Sequence, residues 1–129
     1  MTRHPTEKEM AAVLRLAAAE RYKHLIKKVA DQEVIWSLWS EGWALMGDDS
    51  GRQVMPIWPH APYASACAKG DWHGYESRQI NLYDWMERWL PGLKDDHRLV
   101  AVFPLPDGKA VTVEPDDLLR DLEEELQRY

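Results

Sequence analysis

The chain has 129 residues, and its 16 Lys and Arg against 22 Asp and Glu leave a formal charge of −6. Hydrophobic residues at 45% and charged residues at 29% fit one compact globular domain and exclude general disorder. No apolar run approaches the about 20 residues of a membrane-spanning helix, and residues 1–10 carry Arg3, Glu7, Lys8 and Glu9 where a secretory signal needs an apolar stretch, so a cytoplasmic protein is expected.

Thr6 followed by Glu9 has the form of a capping box, in which each side chain satisfies a free backbone donor, so a helix should start near Glu7. Met10, Val13, Leu14, Ala17, Ala18, Tyr22, Leu25, Ile26 and Val29 then recur at helical spacing towards Ala30. A break between Leu16 and Ala19 would divide this long run in two, leaving residues 1–19 as a separate N-terminal helix.

Residues 34–39 are β-branched or aromatic and predict a strand, residues 43–46 a second and residues 53–58 a third. The three are expected to form an antiparallel meander. Pro56 has no amide donor, which places the third strand at a sheet edge or a bulge. The alanine-rich stretch 61–69 predicts a short helix ended by Gly70, and residues 75–80 a brief strand. Asn81 is placed to cap a helix in which Leu82, Trp85, Met86, Trp89, Leu90 and Leu93 share one face, and Pro91 and Gly92 should stop it.

Residues 99–103 are apolar on both faces and belong inside a sheet, with residues 110–113 as the hairpin partner. Pro115, followed by Asp116 and Asp117 near the positive helix end, opens a terminal helix through Arg128 that buries Leu118, Leu119, Leu122 and Leu126. The expected fold is a single α+β domain over residues 1–129. Its sheet has about five mainly antiparallel strands, covered by N-terminal, central and C-terminal helices.

Charge is unevenly spread: residues 1–70 hold nine basic and eight acidic side chains, residues 71–129 seven and 14, so the acid lies in the second half. The net charge repels nucleic acid, and the one local candidate, Arg21, Lys23, Lys27 and Lys28, alternates with apolar positions as a solvated helix face does. Asp116, Asp117, Asp121, Glu123, Glu124 and Glu125 read as another solvated face, or as a docking surface for a basic partner.

Several motifs occur in a telling order: Glu20-Arg21-Tyr22, Val29-Ala30-Asp31, Trp58-Pro59-His60, Tyr63-Ala64, Trp89-Leu90-Pro91-Gly92-Leu93 and Val102-Phe103-Pro104. Over residues 20–129 the chain resembles the bacterial domain of unknown function 2750 family, which carries no established activity. More faintly, a strand ending in Pro-x-Trp and a last helix opened by Pro-Asp-Asp is similar to the serine-sensitivity enhancing protein type of domain. That likeness implies an α+β fold and a role in interactions. Glu114 stands where such domains often have Ser or Thr before the proline.

Seven tryptophans against one phenylalanine is the oddest feature of the composition. Trp36, Trp85 and Trp89 have the period of a core between sheet and helix, whereas Trp39, Trp43, Trp58 and Trp72 fall near strand ends or in loops. An indole cluster with one exposed edge is a common anchor for a protein partner. His60 follows Trp58 and Pro59 at the start of a helix and can act there as a cap, an orienting group or a general base.

Cys67, the single cysteine, excludes an internal disulfide and reads as a buried thiol. His60, His73 and His97 match no compact ligand spacing, so no metal is expected, and no cofactor motif is present. The expectation is therefore an interaction module, an adaptor or an immunity-like protein, without catalytic residues. It would recognise a protein or peptide through Trp58, Pro59, His60 and Tyr63, with Trp39, Trp43 and Trp72 nearby. The alternative is a small-ligand-binding protein or hydrolase using His60 and a carboxylate such as Asp84 in a tryptophan-lined pocket. Neither reading fixes whether the protein is a monomer or a homodimer.

Overall fold

A computed structural model of the protein describes residues 5–129; residues 1–4, part of the expected N-terminal helical unit, lie outside it. Helix α1 (Glu7–Leu14) starts as the capping box requires, with the Glu9 amide donating to Thr6 Oγ1 at 3.1 Å. The chain breaks at residues 15–17 and resumes as α2 (Ala18–Gln32). Arg21 stabilises this break: its side chain is buried and Nη1 donates to the Leu16 carbonyl at 2.8 Å. Lys23, Lys27 and Lys28 remain exposed, so the basic face expected on this helix lacks its arginine.

The strands are β1 (Val34–Trp39), β2 (Met46–Gly47), β3 (Gln53–Ile57), β4 (Glu76–Asn81), β5 (Leu99–Val102) and β6 (Val111–Val113). They do not form the expected meander within one sheet. β1 pairs antiparallel with β4 as a two-stranded sheet, and β2-β3-β5-β6 form a second sheet in which β3 and β5 run parallel. The physical reason is burial: β5 is buried at all four positions and takes the central place beside β3, while β1 finds in Ile80 an apolar partner opposite Ile35. The two sheets meet at one bridge, where the Trp36 and Trp58 amides and carbonyls exchange bonds of 3.0 and 2.8 Å.

Pro56 therefore lies in an interior strand and not at an edge. Ile57 accepts from the Phe103 amide on the β5 side, so by alternation the backbone of Pro56 faces away from β5. β2 is too short to reach it, and its carbonyl is bonded instead by the buried Ser37 hydroxyl at 2.7 Å. The missing N–H costs no ladder bond.

Helix α3 (Ala61–Ala66) is shorter than expected, and Gly70, at φ 59°, opens a tight 3-10 turn (Gly70–Trp72). Helix α4 (Leu82–Asp84) begins where Asn81 Oδ1 accepts from the amides of Tyr83 and Asp84 at 2.9 and 3.2 Å. It runs through a π-turn (Trp85–Trp89) into α5 (Leu90–Asp95), so Pro91 and Gly92 do not stop it. In the π-turn the Leu90 amide bonds Trp85 O, one residue further back than in an α-helix. Pro91 thus falls in the first turn of α5, where a missing donor is tolerated.

Helix α6 (Pro115–Leu126) buries Pro115, Leu118 and Leu122. Glu114 makes no side-chain cap; its carboxylate forms two bonds with Arg52, at 2.6 and 3.2 Å, tying the helix start to the β2–β3 loop. Leu25 and Val29 of α2, Trp85, Leu90 of α5 and Leu118 and Leu122 of α6 share one core with Ile35, Leu38, Ile57 and Val100 from both sheets. No described helix is long and apolar enough to cross a membrane.

Candidate functional site

β3 and β5 end side by side. Trp58-Pro59-His60 leaves the first and Phe103-Pro104 the second, so parallel pairing brings the two most distinctive motifs of the sequence together. Trp58 is fully buried, and its Nε1 donates to the Pro104 carbonyl at 3.0 Å. The Cys67 thiol approaches the same oxygen at 3.5 Å. Phe103, also fully buried, holds a left-handed φ of 55° and presents its ring edge to Tyr63, with centroids 4.8 Å apart.

Trp58 and Pro59 are interior residues, so they are not the exposed half of a docking corner. Every atom of the Trp58 ring is already packed against the protein. His60 is 6% exposed and Tyr63 2%, and both edge onto a cleft.

That cleft has a volume of about 710 Å³ and lies between α1, α2 and the start of α3. Its walls include Glu9 and Val13 from α1, His24, Lys28 and Asp31 from α2, and His60 with Tyr63 at its base. Gln32 anchors the α2 end: its Nε2 donates to the Pro59 carbonyl at 2.5 Å and the Val34 carbonyl at 3.2 Å.

Burial, with a smaller contribution from Lys28, holds the His24 imidazole below its ordinary 6.5, favouring the neutral ring. Burial and the Glu9 carboxylate push the Tyr63 phenol up to about 12, so it stays a hydrogen-bond donor at neutral pH. Burial also raises the Cys67 thiol to about 11, which keeps it protonated and poorly nucleophilic.

The other residues singled out in the sequence sit elsewhere. Trp39, Trp43 and Trp89 are half-buried and meet edge to face, with centroids 5.1 and 5.2 Å apart, and Trp89 stacks on the fully buried Trp85 at 6.0 Å. The Arg78 guanidinium lies 4.5 Å over the Trp39 ring. Trp72 contacts Trp58 edge to face at 6.2 Å. Asp84 is exposed on α4 and does not line the cleft with His60; the carboxylates there are Glu9 and Asp31. Among the described residues no three His, Cys, Asp or Glu side chains converge as a metal site.

Sequence reasoning did not place His24, Lys28 and Asp31 on one cleft with His60. Their signal was present as a polar stripe at i, i+4 and i+7 on α2, beside the apolar stripe that was read.

No curated protein and no solved structure matches the chain. A family model described as protein of unknown function (DUF2750) matches residues 22–122, which takes in most of α2, both sheets, the His60 corner and most of α6. The chain belongs to the DUF2750 family.

Proposed function

We propose that this protein is a binding module that takes a short, basic peptide segment of a partner protein into the cleft between α1, α2 and the His60 corner. The observation that carries the reading is the convergence of Glu9, Asp31, His60 and Tyr63 on one concavity of about 710 Å³. Ligand sites of about 300–1,000 Å³ are the usual size for enclosing a side chain or small molecule. A cationic group suits the two carboxylates, which outnumber the single Lys28 ammonium of the same wall, and the neutral His24 ring, and the net charge of −6 attracts such a partner at long range. The Tyr63 hydroxyl and the His60 ring supply hydrogen bonds that fix orientation. The same volume also favours a second occupant, a free small molecule carrying an amine or guanidine.

The test is an NMR titration of the ¹⁵N-labelled protein with the blocked peptide acetyl-Gly-Arg-Gly-amide, its Glu counterpart, and free agmatine. Saturable shifts at Val13, His24, Asp31, His60 and Tyr63 with the Arg peptide, weak shifts with the Glu peptide, and loss of both in Asp31→Asn are expected. Tighter binding of agmatine than of the peptide selects the small molecule. No saturable shifts at these residues with either cation would overturn both.

A further inference from the structure

The outer edge of β4 is the unpartnered edge of the two-stranded sheet. Its polarity can be worked out from β1. Trp36 and Leu38 direct their backbone bonds away from β4, to Trp58 and Ala44, so Ile35, Ser37 and Trp39 bond β4 through Ile80, Arg78 and Glu76. The amides and carbonyls of Ser77 and Gln79 therefore point outward. Among the described residues, no backbone group bonds them. Glu76, Arg78, Gln79 and Asn81 are exposed and Ser77 is half-buried, while α3 lies against both β1 and β4.

We propose that this edge pairs with the same edge of a second copy, antiparallel about a two-fold axis through Ser77, joining the two-stranded sheets into one of four strands. Charge complementarity selects both the occupant and the register. About Ser77, the outward groups of the two serines form a hydrogen-bonded pair, and Glu76 of each copy faces Arg78 of the other at a closely spaced non-bonded pair. Within one chain Glu76 and Arg78 already lie 2.8 Å apart, so the dimer closes a ring of four charges alternating in sign. The neighbouring registers lack this. Centring on Arg78 sets the two arginines against each other, and centring on Gln79 sets Arg78 against Ile80. Charged residues on an edge strand usually discourage pairing with other chains; here their order makes the strand complementary to itself and to little else. This inference is independent of the cleft.

Sedimentation equilibrium over a range of concentrations reads the association. The wild type should approach twice the mass of the 15.0 kDa chain, reversibly and less so at high salt. Glu76→Arg and Arg78→Glu should each weaken it by about tenfold or more, because both cross-strand pairs become like-charged. An equimolar mixture of the two variants should restore it, since the arginine introduced in one variant then faces the glutamate introduced in the other.

Circular dichroism confirms that each variant is folded. Ser77→Cys is the arm that survives if a charge variant is not: with Cys67 buried, air oxidation should give a covalent dimer, the Cα separation of about 5.5 Å in such a pair matching a disulfide. A wild type monomeric at millimolar concentration, variants that dimerise like wild type, failure of the mixture to restore association, or absence of a disulfide cross-link in Ser77→Cys would each overturn the proposal.

Discussion

Trp58→Phe separates a core tryptophan from a docking one. The substitution removes the indole N–H and about 35 Å³ of ring, and at about 24 cal/mol per Å³ the resulting void costs about 0.8 kcal/mol beyond the lost transfer energy. The Pro104 carbonyl loses its 3.0 Å donor and keeps only the weak Cys67 thiol at 3.5 Å. An under-satisfied buried acceptor adds about 1–2 kcal/mol. The total is about 2–3 kcal/mol, a fall of about 8–10 °C in Tm for a chain of this length. Urea denaturation with an unchanged slope is the assay. The matched control, Trp43→Phe, alters a half-buried ring and should cost under about 1 kcal/mol. If Trp58→Phe loses less than about 0.5 kcal/mol, or keeps full stability while abolishing ligand binding, Trp58 does not act as a packing residue.

Ser37→Ala should cost about 1–2 kcal/mol in the same assay, because the fully buried Ser37 hydroxyl is the donor to Pro56 O, and a neutral result would deny that bond. Native Cys67 should react with Ellman's reagent at pH 8 far more slowly than the urea-unfolded chain, since burial raises the thiol to about 11; prompt labelling of the native protein would contradict this. Stability should fall as the solution is acidified below 6.5, the ordinary His24 value, because the unfolded imidazole takes up a proton while the half-buried native ring, held lower by desolvation, resists. Above 6.5 both states are neutral and the contribution is complete; His24→Gln should flatten the slope below it, and an unchanged slope would show that His24 is not the group responsible.

Helices with a cap and a periodic face were legible: Thr6, Asn81 and Pro115 each mark a helix start within one residue. What was not legible was pairing. Residues 34–58 read as a meander because adjacent strands are the usual neighbours, yet the partner of β1 is the polar β4, and β3 finds β5 across a stretch that holds α3, β4, α4 and α5. Strand choice depended on total burial, which no local window contains. Pro91 misled for a different reason: a π-turn shifts the hydrogen-bond register ahead of it, and nothing in the residues 85–89 announces the widening. At the site, the sequence marked the motif Trp58-Pro59-His60 as unusual but did not show that Trp58 and Pro59 are buried. Its burial followed from the Trp36 bridge and the Pro104 acceptor, two long-range contacts.

The cleft and the core are one construction, because the same few residues shape both. A non-glycine residue at φ 55° is strained by about 1–2 kcal/mol, and Phe103 keeps that conformation while its ring is fully buried between Tyr63 and His24. The left-handed turn aims the Pro104 carbonyl back at Trp58, whose position after β3 sets where Pro59 and His60 leave the sheet. Gln32 then fixes the Pro59 carbonyl to the end of α2, the helix that brings His24, Lys28 and Asp31 to the opposite wall. The Trp58–Pro104 link is buried and the Gln32–Pro59 link part-buried, so core packing contributes to the spacing across the cleft. The Trp58 indole serves rigidity at this corner: a large ring with one donor fixes a direction as well as a distance.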